Sequence, residues 1–179
     1  MVKITVSGHP GSGTSTLVNK LVQSNSWTSL NGGDVFRSEA KNRGMSLADF
    51  GELCKSDLQV DKELDNLLKE KMSGDNSIDI VESRLAGWWA YLLNIDCVRL
   101  WIDVSDEERA QRVVAREGGT VSQALEANAK RSAIDAARFS ELYNILPQDR
   151  EAYTHVLDAG EMSIDEVFSA VTIILEDFN

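Results

Sequence analysis

Residues 2–16 read Val-Lys-Ile-Thr-Val-Ser-Gly-His-Pro-Gly-Ser-Gly-Thr-Ser-Thr, and this stretch decides the fold. Val2, Ile4 and Val6 alternate with Lys3 and Thr5, the period of a strand with one apolar face, and the alternation stops at Ser7. Beyond the loop, Leu17, Val18, Leu21 and Val22 recur at helical spacing. Strand, glycine loop and helix in that order form the context a phosphate-binding loop requires. Gly8 and Gly13 stand at its two ends, with His9, Pro10, Gly11 and Ser12 between them and Thr14, Ser15 and Thr16 following. Glycines let successive backbone N–H groups turn inward around an anion, and the helix starting near Gly13 adds its positive end. Ser15 sits where a hydroxyl reaches a magnesium ion bound to the phosphates. The strict pattern has lysine where this chain has Thr14, so the charge that normally meets the outer phosphates must come from elsewhere. The bland alternative is an ordinary glycine-rich strand-to-helix turn.

Working outward, 179 residues suffice for one well-filled core, and 42% hydrophobic with 26% charged residues is the balance of a soluble globular chain. No run approaches the ~18 uninterrupted apolar residues of a membrane span, and the first strand reaches its glycine loop too early for a signal peptide. The expectation is a cytoplasmic protein, working as a monomer, with no membrane partner. Cys54 and Cys97 show neither metal-ligand nor CxxC spacing and read as reduced thiols. His9 and His155 lie far apart with no third ligand nearby, so no zinc site is expected. A net charge of −11 argues against a nucleic-acid partner but not against a small anion held by local arginines.

After the first helix, Thr28-Ser29-Leu30 is a weak strand ending at Asn31-Gly32-Gly33-Asp34. Asp34 can cap a helix from Val35 to Arg43, Ser46 a short one carrying Leu47, Phe50 and Leu53, and Val60, Leu64, Leu67 and Leu68 mark a third ending near Met72. These helices, residues 34–74, interrupt two strands of a parallel sheet and read as a substrate-binding insertion or as a purely structural excursion. Ile78, Ile80 and Val81 then lead into Glu82-Ser83-Arg84, a charged pair at the C-terminal end of a parallel strand, where open α/β sheets bind ligands. Of the two, Arg84 is the candidate anion ligand, the alternative being a surface or salt-bridging arginine. Trp88 and Trp89 read as core residues of a short helix.

Val98 to Val104 form a clear strand, and Ser105 with Glu108 opens a helix to about Arg116. Arg109, Arg112 and Arg116 share one face, either a solvated stripe or a phosphate clamp. Gly118-Gly119 breaks the helix, and Thr120 with Gln123 caps another that runs to about Asn144. On it Arg131, Asp135 and Arg138 share a face, so Asp135 can orient both guanidinium groups toward a ligand, with a surface salt-bridge ladder as the rival reading. Residues 116–131 thus read as a hinged cover carrying positive charge. A last strand ends at Asp158-Ala159-Gly160, and Ser163 with Glu166 caps an amphipathic final helix. The pieces make five strands in a parallel α/β sheet covered on both faces.

The whole pattern resembles the nucleoside monophosphate kinases, most closely the archaeal-type cytidylate kinases. Their loop also carries threonine at the usual lysine position, matching Gly8, Gly11, Ser12, Gly13, Thr14, Ser15 and Thr16 here. The likeness continues through Gly33-Asp34-Val35-Phe36-Arg37, Arg43-Gly44-Met45-Ser46-Leu47, Val60-Asp61-Lys62-Glu63-Leu64-Asp65, Arg84-Leu85-Ala86-Gly87-Trp88, Ala115-Arg116-Glu117-Gly118 and Arg138-Phe139. It implies a three-layer P-loop NTPase-like α/β fold with an inserted helical monophosphate-binding region and a small lid. It further implies magnesium-dependent phosphoryl transfer from ATP to CMP or dCMP. By the same resemblance the loop from Gly8 through His9 and Pro10 to Thr16 holds ATP, and Ser15 helps coordinate magnesium. Asp34, Arg37, Asp61, Arg84 and Asp135 serve the acceptor, and Arg116, Arg131 and Arg138 stabilise charge on the transferred group. The chain departs from the family at His9, at Ser83 where glycine is usual, at Asn144-Ile145-Leu146-Pro147 and at Thr154. Two other functions stay open: a kinase for a different small acceptor, and a nucleotide-binding regulatory protein that transfers nothing.

Overall fold

The computed structural model describes residues 1–74 and 78–178. Five strands, β1 (Ile4–Gly8), β2 (Ser29–Asn31), β3 (Ile80–Glu82), β4 (Val98–Asp103) and β5 (His155–Asp158), form one sheet in the order β2-β3-β1-β4-β5. Every pairing is parallel, with Val6 opposite both Glu82 and Leu100. The helices are α1 (Thr14–Asn25), α2 (Gly32–Asn42), α3 (Leu47–Ser56), α4 (Leu58–Ser73), α5 (Ala86–Leu92), α6 (Asp106–Glu117), α7 (Val121–Tyr143) and α8 (Ile164–Phe178). The expected three layers are therefore present.

Side-chain alternation divides the core between the two sheet faces. Ile4, Val6, Val98, Leu100 and Ile102 pack with Leu17 and Leu21 of α1 and Val171 and Leu175 of α8. Val81 and Trp101 face the other way, onto Trp88, Trp89, Phe139 and Tyr153. On that second face β1 presents Thr5 and Ser7, both buried. Ser7 donates its hydroxyl to the Ser83 carbonyl at 2.8 Å and accepts from the Gly87 amide at 3.3 Å, which pins the end of β3 to the end of β1. Gly87 has to be glycine, because a Cβ there would lie 2.3 Å from the Tyr153 ring.

The inserted helices α2, α3 and α4 build their own small core from Ala40, Phe50, Cys54 and Val60. One boundary differs from the sequence reading. Asn31, not Asp34, is the N-cap of α2, its side chain accepting the Asp34 amide at 2.8 Å. The helix consequently starts at Gly32, and Asp34 lies in its first turn, where a carboxylate favours the positive helix end. The caps at Ser46, Thr120 and Ser163 form as expected. At the end of α7, Asn144 takes the left-handed conformation (φ 54) that a glycine would otherwise supply. The segment after it is anchored where the Leu146 carbonyl accepts the Trp88 indole N–H at 2.9 Å.

Candidate functional site

The chain leaves β1 for β2 and β3 on one side and for β4 and β5 on the other, so a crevice opens at the C-terminal ends of β1 and β3. A cleft of about 970 Å³ lies there. Gly8, Thr14, Ser15 and Glu82 line its floor, the inserted helices contribute Arg37, Asp61 and Asp65, and α7 contributes Arg131, Asp135 and Arg138. Residues from distant parts of the chain meet because the loop, the insertion and α7 all open onto the same edge of the sheet.

Glu82 organises the floor. The hydroxyls of Thr14 and Ser15 both donate to its Oε1, each at 2.7 Å. Sequence position alone favours Arg84 of the charged pair, whereas the register of β3 against β1 puts Glu82 beside the phosphate loop. A hydroxyl and a carboxylate sharing this corner are hard oxygen donors of the kind Mg²⁺ takes, with phosphate and water oxygens completing its shell. Among the described residues there is no cluster of three or more His, Cys, Asp or Glu side chains able to hold an ion by themselves.

Arg84 ties the loop to α7. Its Nη1 donates to the Gly8 carbonyl at 2.6 Å and its Nε to Asp135 at 2.9 Å. Asp135 orients two guanidinium groups, as expected from α7, but the pair is Arg84 and Arg138 (3.5 Å) rather than Arg131 and Arg138. Tertiary contact with β3 decides this, which helical periodicity alone does not contain. Arg138 also reaches both oxygens of Asp61, at 3.3 and 3.2 Å. Burial pushes the Asp61 carboxyl above the ordinary range despite Arg138. Asp65 is raised for the same reason, with Tyr143 donating to it at 2.7 Å. Cys54 lines the cleft beside Asp61, and burial pushes its thiol up to about 11, so it is an inert neutral group.

The remaining arginines separate. Arg37 lines the cleft and is held by Asp34 at 2.6 Å, both well exposed. Arg116 is exposed, pairs with its neighbour Glu117 and stands apart from the cleft. Arg109 and Arg112 do not form a clamp facing the ligand as one reading of the α6 stripe had it. Their guanidinium groups run behind the loop to the Pro10 and Ser12 carbonyls, because the backbone at Gly11 packs directly onto α6.

His9 turns away from the cleft floor, its ring meeting Trp101 edge-on at 5.1 Å. Burial, followed by the charges of Arg109 and Arg84, lowers its pKa from the ordinary 6.5. A histidine lowered on folding binds its proton less readily folded than unfolded, so its contribution to stability is complete above 6.5 and lost as pH falls through the lowered value. Melting temperatures of wild type and H9Q measured downward from pH 7 should therefore diverge in slope. The wild type should lose stability faster below 6.5, and parallel slopes would remove this account of His9.

A parallel sheet opening on a glycine loop, with a carboxylate and hydroxyl at the loop's foot and arginines on a facing helix, is the arrangement of a P-loop kinase. Solved structures share the fold: an uncharacterized protein from Eubacterium ventriosum superposes with a TM-score of 0.75 at 15% identity, covering 98% of this chain and 99% of that one. A shikimate kinase from Bacteroides thetaiotaomicron gives 0.63 at 13% identity, covering 98% of each. Residues 7–128 match the family model described as an AAA domain. Over nearly the whole chain, the cytidylate kinase of Methanocorpusculum labreanum is 39% identical, covering 95% of this chain and 94% of that protein. The cytidylate kinase of Halobacterium salinarum is 36% identical, covering 94% and 86%. The chain belongs to the AAA-domain family by the first match and to the archaeal-type cytidylate kinase family by its whole-length relatives.

Proposed function

We propose that this protein transfers the γ-phosphoryl group of magnesium-bound ATP to CMP or dCMP. The observation that carries the reading is the continuity of the cleft from the loop residues Gly8, Thr14 and Ser15 to the acidic and arginine side chains of the insertion and α7. The loop Gly8–Thr16 holds the donor phosphates through backbone amides. Residues 34–74 form the acceptor region and residues 116–131 the lid of a single kinase domain, 1–179. Ser15 and Glu82 are the protein groups that would hold magnesium, which when bound neutralises charge on the donor phosphates.

The acceptor needs no strong base. A phosphate oxygen of CMP forms the new bond to the γ-phosphorus as the bond to the ADP bridging oxygen breaks, giving ADP and CDP or dCDP. The protein's task is alignment and charge. Arg37 and Arg84 grip the acceptor phosphate, and Arg131 and Arg138 meet the charge spread over the transferred group, with Arg116 arriving only if the lid swings in. Closure also keeps water from competing as acceptor. ADP release measured with CMP, dCMP, UMP, AMP, GMP and shikimate tests the acceptor. CMP and dCMP should exceed the others in kcat/KM by about tenfold or more, the discrimination a few hydrogen bonds to the base provide. Equal rates across the panel would overturn it.

A further inference from the structure

Three arginines hold three alternate carbonyls of the phosphate loop. Arg84 donates to Gly8 O at 2.6 Å, Arg109 to Pro10 O at 2.9 Å and Arg112 to Ser12 O at 3.1 Å. In a trans peptide the N–H points opposite to the C=O of the same unit. The units with the Pro10 and Ser12 carbonyls carry the amides of Gly11 and Gly13, so Arg109 and Arg112, which do not line the cleft, sit behind peptides whose donors aim away from them, to the other side of the loop, whereas Arg84 braces the Gly8 end from within the cleft. We propose that Arg109, assisted by Arg112, is a positioning residue that acts through the back of the phosphate loop, fixing and polarising its peptides to supply positive potential that Thr14 cannot.

Arg109 carries this furthest because it has no other evident task. It is 3% exposed, does not line the cleft, and has one carboxylate partner, Asp106, which is itself largely exposed to water. Among the described residues its Nε has no hydrogen-bond partner. A buried guanidinium so weakly compensated is costly for stability alone, where an apolar side chain could pack at less expense. In a low-dielectric setting its charge reaches further than a solvated lysine's would. Inside the loop the His9 pKa is lowered first by burial and next by the charge of Arg109, in keeping with that reach. Gly11 lets the loop come close enough: with φ +86, a Cβ there would lie 3.0 Å from the Arg109 carbonyl and 3.2 Å from its Cβ.

The inference rests on the phosphate-loop reading, and calorimetric titration with ATP, adenosine and CMP separates the two. In R109M, which keeps the bulk and removes the charge, ATP affinity should fall about tenfold or more, the usual consequence of losing a charged hydrogen bond. Adenosine, which has no phosphates, and CMP should bind within twofold of wild type. R109K, which keeps the charge but loses the fork, should lose less ATP affinity than R109M. Should R109M not fold, R109K carries the test alone: ATP should weaken about two- to fivefold with adenosine and CMP unchanged. Unchanged ATP affinity in a folded variant, or a parallel loss for all three ligands, would overturn the proposal. Wild-type protein that binds ATP no better than adenosine would overturn the phosphate-loop reading along with it.

Discussion

Replacing Arg138 by Ala is expected to lower turnover with CMP by about ten- to a thousandfold while ATP affinity changes far less, the signature of an interaction made chiefly in the transition state. The structure adds a complication that turns into a control. Arg138 also compensates Asp61, whose side chain is 8% exposed against 32% for Arg138. Removing the arginine leaves a buried carboxylate unpaired, at a cost of roughly 1–3 kcal/mol, less than for a fully buried pair because Arg138 is partly in water. Asp61 is already raised by burial, and the loss of Arg138 should raise it further. A carboxyl raised on folding contributes stability below its unfolded value that is lost as pH rises through the folded one. R138A should accordingly melt lower at pH 7 than at pH 5, relative to wild type. Adding D61N removes the orphaned charge, so R138A/D61N should recover melting temperature without recovering turnover. If the double variant regains turnover, Arg138 acts only by holding Asp61. If R138A turns over normally, the protein binds nucleotide without using this arginine for transfer.

Strand β1, its loop and α1 were legible because period, glycine spacing and helix start all lie within sixteen consecutive residues. The caps at Ser46, Thr120 and Ser163 were legible for the same reason: a cap is a contact between residues three apart. Asn31 was missed because Gly32-Gly33 reads as a turn, whereas the cap side chain can enforce helix across two glycines. Arg109 and Arg112 were read with Arg116 as one stripe, yet only packing of the loop on α6 reveals that two of the three face backbone and the third solvent. Asp135 was recognised as an orienting group, but one of its partners lies 51 positions away on the β3 side of the cleft, outside any helical period. Two of the departures from the family have local roles, Asn144 as the left-handed end of α7 and Thr154 just before β5. Thr154 accepts the Arg99 amide at 2.9 Å and ties β4 to the approach of β5.

Glu82 is the residue whose loss should separate the metal's part from the loop's. In E82Q the geometry of the corner is kept, since the amide oxygen can still accept from Thr14 or Ser15, but the negative charge is gone. Carboxylate replacement by amide weakens a hard oxygen ligand for Mg²⁺ far more than it weakens a hydroxyl contact. Turnover at fixed magnesium should therefore drop by about a hundredfold, comparable to losing one well-placed electrostatic contact in the transition state. The magnesium concentration giving half-maximal rate should rise. ATP binding without magnesium should hold or tighten, because a like charge beside the phosphates has been removed. The last result distinguishes a metal-holding carboxylate from a structural one: a Glu82 that merely braced the Thr14 and Ser15 hydroxyls would weaken nucleotide binding with or without the ion when replaced. An unmoved magnesium curve in E82Q, with the fold intact by melting, would leave Ser15 without its partner and place the ion on the phosphates alone.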